Sequence, residues 1–270
     1  MPSSNPMMKA NYHTHTYLCR HAGGNPSEYA ESALAFGIRI LGMSDHAPFP
    51  ELRDRSVRMR MEELPIYLQE CDEAISKYAG RLKILKGLEI EFFDGQEKYY
   101  AELKGKLDYL ALGQHYVDFG EKMSDLRSAY GLSTEEGLRR YTETVIRGME
   151  SGLFRFLCHP DLMLFGYPCF DSVAEKYSRE IIAASIRLDL PLEINANGIR
   201  RGSYRYPEGV RYVYPRLEFW KLAKEMGARV IISADAHNPA LLGDEAINEA
   251  YEFAARLGIE VEEDLYIGKR

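Results

Sequence analysis

The chain has 270 residues, 46% of them hydrophobic and 28% charged, and it carries a formal net charge of −7. This composition is typical of a soluble protein, and the length suits one large α/β domain, which we place over residues 1–270 with a loose N-terminal end at 1–9. The negative charge argues against broad binding to nucleic acid or to a membrane surface, because both attract positively charged proteins.

Strand-like and helix-like patterns alternate in strict order along the chain. Short apolar or β-branched runs with polar, glycine or proline boundaries predict seven strands. In chain order these are Met8–His13, Ile38–Met43, Lys83–Glu91, Leu107–Gly113, Phe154–His159, Leu190–Asn195 and Arg229–Ser233. Helical periodicity between the strands predicts seven helices. In chain order these are Ser27–Phe36, Glu62–Tyr78, Gln96–Lys104, Thr134–Ser151, Val173–Leu188, Pro215–Met226 and Pro239–Leu257.

This alternation predicts a parallel sheet, either closed as a barrel or open and doubly wound. An open sheet of this kind usually has a glycine-rich first turn, whereas the Gly23-Gly24 pair lacks the GxGxxG pattern. We favour the barrel because candidate ligands follow strands along the whole chain. The two longest stretches without periodicity, Ala47–Met61 and Ala196–Tyr214, are the predicted substrate-covering loops.

All seven histidines lie in five short motifs near the ends of predicted strands. The motifs are His13-Thr-His15 followed by His21, Asp45-His46, His115 in LGQHY, His159 in LCHPD, and Asp235-Ala-His237. Residues two apart at a strand end point to the same side, so His13 and His15 can face one ion. Because active sites of β/α barrels lie at the C-terminal ends of the strands, we expect these motifs to converge.

The convergent side chains are numerous enough to hold more than one metal ion. Glu89 and Glu91, in GLEIE, add carboxylates that could bridge two cations. One zinc site needs three or four protein ligands, so this set predicts two or three ions. Mixed imidazole and carboxylate ligands favour zinc, iron or manganese. For any single histidine, a hydrogen-bonded core position is the alternative interpretation.

Four cysteines without CxxC spacing, together with an N-terminus that lacks a signal-type apolar segment, predict a reducing, cytoplasmic setting. The sequence has no apolar run near the roughly 18 residues that a membrane span requires. Cys19 is the candidate thiol nucleophile, with a buried packing role as the favoured alternative.

Several motifs together resemble one known family. HTHTYLCRH, SDHAP, GLEIEF, LGQHY, HPD and SADAH are similar to motifs of the PHP (polymerase and histidinol phosphatase) superfamily of metal-dependent phosphoesterases. RMRMEELPIYL, EINANGIRRG and the tyrosine after His115 resemble its histidinol-phosphate phosphatase branch. No motif of the family can be placed on Phe119–Gly131.

The resemblance implies a distorted (β/α)7 TIM-like barrel that holds three divalent ions of zinc, iron or manganese. One ion would bind His13, His15, Glu89 and Asp235, and a second would bind Glu89, His115 and His159. The third would bind His21, His46 and His237. Asp235 and His237 are the candidate catalytic residues, and a metal-bound water or His237 is the candidate proton donor to the leaving group.

A cluster of three cations favours an anion with several oxygens, such as a small-molecule phosphate monoester. Candidate phosphate ligands are Arg58, Arg60, Tyr116, Arg200 and Arg201, with a solvated surface position as the alternative for each single arginine. Asp45, Asp161 and Glu193 are expected to orient imidazoles.

The resemblance implies hydrolysis of L-histidinol phosphate by a metal-bridging hydroxide, as a step of histidine biosynthesis. Two alternatives stay open. One is another PHP phosphoesterase acting on nucleotides, DNA ends or phosphotyrosine. The other is an inactive accessory domain that binds metal.

Overall fold

The computed structural model describes residues 8–49, 52, 56–120 and 125–267. Most of the predicted loose N-terminal end, residues 1–7, therefore lies outside the described residues. Within the described part of the chain, no helix combines the length and the apolar character needed to cross a bilayer.

The strands form a curled parallel sheet. Its strands are β1 (Ala10–Asn11), β2 (Ile40–Met43), β3 (Lys83–Ile90), β4 (Tyr109–Leu112), β7 (Leu192–Asn195) and β10 (Val230–Ser233). Strands β1 to β4 pair in sequence order, and β7 pairs in parallel with β10. Single parallel bridges continue the curl, with Leu157 between Leu112 and Leu192, and Thr14 beside Ala236. The α/β class and the parallel curl are confirmed, and the full seven-stranded barrel stays a prediction.

The predicted fifth strand, Phe154–His159, is wrong as a continuous strand. Its one β-bridge residue is Leu157, whose amide donates to Pro191 and whose carbonyl accepts from Glu193. Backbone hydrogen bonds at Arg155, Phe156 and Cys158 also join the segment to β4. It ends at His159, where a φ of 30° turns the chain out of the extended conformation. The segment nevertheless occupies the position between β4 and β7 at which a fifth strand was expected.

Eight α-helices surround the sheet in the described residues. They are α1 (Pro26–Ala35), α2 (Leu64–Tyr78), α3 (Glu97–Lys104), α4 (Glu135–Glu150), α5 (Ser172–Arg187), α6 (Ala196–Arg200), α7 (Leu217–Met226) and α8 (Glu245–Arg256). All seven predicted helices are confirmed with small shifts of their ends. The side chains of Asn25, Thr134 and Asp171 cap the N-termini of α1, α4 and α5. The predicted first turns of α2 and α8 are separate 3₁₀ turns, at Met61–Glu63 and Pro239–Gly243.

The predicted loop Ala196–Tyr214 is wrong, because it contains the short helix α6 and an antiparallel hairpin. The hairpin pairs β8 (Ser203–Tyr206) with β9 (Gly209–Tyr212). The Asn195 side chain accepts a hydrogen bond from the Asn197 amide and so starts α6 directly after β7. The other predicted loop, Ala47–Met61, is irregular where described, and residues 50, 51 and 53–55 lie outside the described residues.

A second hairpin lies between β4 and α4, and its second strand falls in the stretch without a family motif. Strand β5 (Tyr116–Asp118) pairs antiparallel with β6 (Leu126–Ser128), and a 3₁₀ turn follows at Ala129–Gly131. The Ala129 amide donates to the His115 carbonyl at 2.8 Å, which holds this turn against the end of β4.

Two apolar clusters support the sheet. The larger one lies between the sheet and the helices, and it includes Leu41, Leu88 and Leu112. The smaller one contains Tyr12, Tyr109 and other side chains that point to the opposite, concave side. Both tyrosines are buried, and Tyr109 donates to the Tyr12 carbonyl at 2.7 Å. Tightly packed side chains inside the curled sheet therefore support the strand ends.

Candidate metal centre

The structure brings together all nine side chains that the sequence predicts as metal ligands. Eight of them lie on or shortly after a parallel strand or bridge, and His21 follows the 3₁₀ turn Tyr17–Cys19 in the loop after the first strand. The nine are His13, His15, His21, His46, Glu89, His115, His159, Asp235 and His237. Neighbouring rings are close, with centroids 4.3 Å apart for His15 and His46 and 5.0 Å apart for His115 and His159.

The Glu89 carboxylate lies at the centre of this cluster. The side chain is 1% exposed, and its two oxygens face five imidazoles. Oε2 lies 3.0 Å from His46 Nδ1, 3.3 Å from His13 Nε2 and 3.6 Å from His15 Nε2. Oε1 lies 2.9 Å from His159 Nε2 and 3.4 Å from His115 Nε2. Glu89 can therefore contact two ions at once.

Asp235 presents one oxygen to the cluster and keeps the other for the protein. Oδ1 lies 3.0 Å from His15 Nε2 and 3.7 Å from His13 Nε2. Oδ2 accepts hydrogen bonds from the side-chain amides of Asn195 at 3.1 Å and Asn197 at 3.2 Å. The residue has a φ of 45°, an uncommon conformation for a non-glycine residue that is typical of functional sites.

His21 and His237 form the outer edge of the cluster. Their Nε2 atoms lie 2.9 Å apart, and the His21 Nδ1 faces the Cys19 carbonyl at 2.9 Å. Burial and the nearby His15 lower the pKa of His237 to about 3. Burial and His15 also hold the pKa of His46 well below its ordinary value. These rings are therefore neutral at pH 7, the form in which imidazole coordinates metals.

The two central carboxylates stay ionised despite their burial. Burial alone would raise the pKa of Glu89, but His115, His13 and His46 hold it well below its ordinary range. The same opposition, with His13 and His15 as the main partners, lowers the pKa of Asp235. The cluster therefore offers anionic oxygens together with ring nitrogens.

Buried polar atoms without a hydrogen-bond partner concentrate in this cluster. Among the described residues they include His13 Nε2, His15 Nδ1, His15 Nε2, Glu89 Oε2, His159 Nδ1 and Asp235 Oδ1. Folded proteins rarely leave such atoms unpaired, so the cluster fits a group that accepts nitrogen and oxygen donors. The trios whose ligand atoms lie within 4.8 Å of one another include His13 with His15 and Asp235, and His15 with His46 and His237. This donor set suits zinc, iron or manganese.

Further carboxylates hold the imidazoles from behind. Glu193 Oε1 lies 2.8 Å from His13 Nδ1, and its Oε2 accepts from the His159 amide at 3.0 Å. Glu91 Oε1 lies 3.2 Å from His115 Nδ1, so Glu91 contacts a histidine rather than the centre of the cluster. Asp45 Oδ1 lies 3.6 Å from His15 Nδ1 and is less closely engaged.

Asp161 does not orient an imidazole, contrary to the expectation from sequence. Its carboxylate accepts hydrogen bonds from the backbone amide of Arg216 and from Trp220 Nε1, at the start of α7. The HPD turn therefore points this side chain away from the histidines and towards a helix N-terminus.

A cavity of about 560 Å³ opens over the cluster. Its walls beyond the predicted metal ligands consist of Val57, Arg58, Tyr116, Ser128, Tyr130, Asn197 and Arg201. Three of these, Arg58, Tyr116 and Arg201, are predicted substrate residues. The Arg201 guanidinium lies 5.2 Å from the centre of the Tyr130 ring.

Two of the predicted phosphate ligands point elsewhere. Arg200 donates to both carboxylate oxygens of Asp244, at 2.7 and 3.0 Å, and to the carbonyls of Ala234 and Leu241. Arg60 is exposed and paired with Glu62 and Glu63. Neither lines the cavity, because local carboxylates hold both guanidinium groups away from its mouth.

Sequence reasoning missed Val57, Ser128, Tyr130 and Asn197 as cavity residues. Ser128 and Tyr130 come from the segment without a family motif, where β6 and the following turn fold back over the end of β4. Asn197 lies in the ANG turn two residues after β7, and this proximity to a strand end was the available signal.

Comparisons with known proteins identify the family. The PHP domain model matches residues 11–197, which is more than half of the chain. A relative from Deinococcus radiodurans, named "Probable histidinol-phosphatase", is 32% identical over 252 residues, covering 90% of this chain and 93% of its own length. The chain therefore belongs to the PHP domain family.

Other relatives point the same way. The histidinol-phosphatase of Bacillus subtilis is 25% identical over 270 residues, covering 88% of this chain and 96% of its own length. The fold resembles that of histidinol phosphate phosphatase from Lactococcus lactis, solved with zinc, L-histidinol and phosphate, at 18% identity and a TM-score of 0.66. The match covers 94% of this chain and 95% of the Lactococcus lactis chain, which shows a shared fold.

Proposed function

We propose that this chain is a metal-dependent phosphomonoesterase that hydrolyses L-histidinol phosphate to L-histidinol and phosphate. The observation that carries the chemistry is the cluster of seven imidazoles around Glu89 and Asp235, with its unpaired buried atoms. The substrate is supported by the 32% identical relative, whose match extends over nearly the whole of both chains.

We propose three divalent ions in the cluster, of zinc, iron or manganese. Glu89 Oε2 and Asp235 Oδ1 both face His13 and His15, which supports a first ligand set of these four residues. Glu89 Oε1 faces His115 and His159, which supports the second set. The third set is His21, His46 and His237, whose rings lie 4.6 to 6.4 Å apart. When bound, such ions acidify water and stabilise the charge on phosphate oxygens.

Asp235 and His237 are the proposed catalytic residues. Glu89 and Asp235 are the carboxylates that line the cavity among the described residues, and Asp235 is the more exposed, at 5% against 1%. Its Oδ1 faces the cluster beside His15 Nε2, and ionisation at neutral pH leaves this oxygen able to accept a proton from water. His237 opens to the cavity as a neutral ring that can accept a proton from water, and the leaving alkoxide would take its proton from a water molecule in the cavity.

Cys19, the thiol that the sequence offers as a nucleophile, is not suited to attack the substrate. Cys19 is fully buried, and burial together with Asp45 raises the pKa of its thiol, so the thiol stays protonated. This supports direct attack by water, without a covalent phosphoenzyme. Arg201, Asn197 and Tyr116 are the proposed contacts of the substrate, since their side chains line the cavity beside the cluster.

We also propose that the curled sheet closes into the seven-stranded barrel and that residues 1–270 form one domain. The bridge between Thr14 and Ala236 joins the first strand to the last, and Leu157 spans the gap between β4 and β7. These bridges support a closed ring of seven parallel segments, with the cluster at the C-terminal ends of the strands.

The test is phosphate release from four esters by metal-replete protein. L-Histidinol phosphate is compared with AMP, p-nitrophenyl phosphate and a phosphotyrosine peptide, with His13→Ala as the control for the metal centre. We expect kcat/KM for L-histidinol phosphate to lead by about a hundredfold, or about 2.7 kcal/mol of transition-state preference. If another ester is hydrolysed equally well or better, and His13→Ala loses that activity, the substrate assignment would be wrong and the proposed metal centre would still hold.

A further inference from the structure

Glu91 and Arg58 form a buried ion pair directly behind one of the cluster histidines. Their side chains are 1% and 3% exposed. Arg58 Nη2 donates to Glu91 Oε1 at 2.8 Å, and Nη1 donates to Oε2 at 3.1 Å. Nη1 also donates to the Ala47 carbonyl at 3.0 Å. Arg58 therefore holds the Glu91 carboxylate with both of its terminal nitrogens.

The same carboxylate reaches His115. Glu91 Oε1 lies 3.2 Å from His115 Nδ1, while the other ring nitrogen, Nε2, lies 3.4 Å from Glu89 Oε1. The ring thus stands between two carboxylates, one inside the cluster and one behind it. Because an ionised carboxylate only accepts hydrogen bonds, Glu91 requires the proton of neutral His115 to sit on Nδ1. The Nε2 lone pair is then directed into the cluster.

Neither residue can take the role that its sequence position suggested. Glu91 comes directly after β3, the strand that carries Glu89. Both Glu91 oxygens nevertheless accept hydrogen bonds from Arg58, on the side of His115 that faces away from the cluster. Arg58 lines the cavity, but its Nη1 and Nη2 already donate to Glu91 and to the Ala47 carbonyl, so the protein holds both terminal nitrogens. The geometry therefore leaves them a role that acts through His115.

We infer that Glu91 is a positioning residue that fixes the tautomer and orientation of His115, and that Arg58 locks Glu91 in place. The pair controls how tightly the ion shared by Glu89, His115 and His159 is bound. This inference rests on the proposed function only in requiring that the cluster binds ions, and it is independent of the substrate. Carboxylates that orient metal-binding histidines contribute about 10- to 100-fold to metal affinity in proteins.

The effect is specific to one position in the cluster. His13 has its own orienting carboxylate in Glu193, and the outer ring His21 has the Cys19 carbonyl. Loss of the Glu91 carboxylate therefore weakens the ion at His115 and leaves the ions at the other rings bound.

The test measures metal content and affinity in Glu91→Gln, by elemental analysis after dialysis against buffers of fixed free Zn²⁺. The matched control is Glu262→Gln, which removes a carboxylate from another bidentate arginine pair, with Arg229 Nε and Nη2 both at 2.6 Å, on the sheet edge away from the cluster. We expect one Zn²⁺ per chain to bind about 10- to 100-fold more weakly in Glu91→Gln, with the others unchanged. The control should bind as the wild type does.

Two further variants keep the result interpretable. If Glu91→Gln fails to fold because Arg58 loses its counter-charge, the paired variant Arg58→Met with Glu91→Gln removes both charges and should show the same loss of one ion. In a His115→Asn background, Glu91→Gln should cause no further loss. Unchanged Zn²⁺ binding in Glu91→Gln, or an equal further loss without His115, would overturn the inference alone. Wild-type protein that binds no Zn²⁺ would overturn the proposed metal centre together with the inference.

Discussion

Gly113 provides the space that the Glu89 carboxylate occupies, and filling this space should disable the cluster. A β-carbon at residue 113 would lie 2.0 Å from Glu89 Oε1 and 2.5 Å from its Cδ. Contacting heavy atoms normally stay about 3.5 Å apart, so one partner must move by about 1 Å or more. Glu89 is buried among five imidazoles, and any movement of its carboxylate changes the distances to both halves of the cluster.

We predict that Gly113→Ala folds but loses most of its activity. Misplacing a reacting or coordinating group by about 1 Å can cost about 100-fold in rate. The kcat/KM for L-histidinol phosphate should therefore fall by about 100-fold or more, and fewer divalent ions should remain bound after dialysis. The matched control is Gly105→Ala, whose added β-carbon meets only the carbonyl oxygens of Glu102 at 3.5 Å and Ala101 at 3.8 Å.

The assay combines steady-state phosphate release, metal analysis and thermal unfolding of both variants. Activity and metal content of Gly113→Ala within about threefold of the control would refute the reasoning, because Glu89 would then not be confined as the structure has it. Unfolding of Gly113→Ala far below the control temperature would mean instead that the strand end, and not the carboxylate, moved.

Other predictions separate structural residues from those of the cavity. Arg200→Met should lower the free energy of unfolding by about 1–3 kcal/mol and leave KM unchanged, because Arg200 is engaged by Asp244 and two carbonyls. Arg201→Met should raise KM about tenfold without a change in unfolding, and the opposite pattern would contradict the placement of the two arginines. Burial opposes ionisation of Glu63, but hydrogen bonds from Arg60 and Arg20 lower its pKa to about 2, so its stabilising contribution is present above pH 4.5 and lost as the pH falls towards 2. In metal-free protein, Glu63→Gln should therefore lower the free energy of unfolding by about 1–3 kcal/mol at pH 7, and a difference that persists in urea titrations near pH 2 would count against this.

The convergence of the histidines was predictable because it follows from strand geometry. Parallel strands end at a common edge, and alternate positions such as His13 and His15 point to one side of that edge. The helix starts predicted at Ser27 and Val173 lie within one residue of the observed ones, where Asn25 and Asp171 cap α1 and α5. Both features depend on short stretches of sequence and need no knowledge of distant partners.

The side chains around the cluster depend on distant partners, and the sequence could not place them. Arg200 and Arg201 are adjacent in sequence, and only the rotation of α6, which Asn195 starts, decides which of them faces the cavity. Arg58 pairs with Glu91, which lies 33 positions further along the sequence. Tyr130 reaches the cavity through a hairpin of three-residue strands, too short to give a periodic pattern.

The buried polar atoms show most directly how fold and site are related. At the base of the sheet, the buried Tyr109 hydroxyl donates to the Tyr12 carbonyl, as buried polar groups normally find a partner. At the histidine cluster, Glu193 contacts the outer nitrogen of His13, and Asn195 donates to the outer oxygen of Asp235. The inward atoms of His13 and Asp235 stay unpaired. For these two residues the fold holds the outer atom and leaves the lone pairs of the inner atom available to an ion. The contacts behind the ligands therefore help to determine which ligand atoms face the ions.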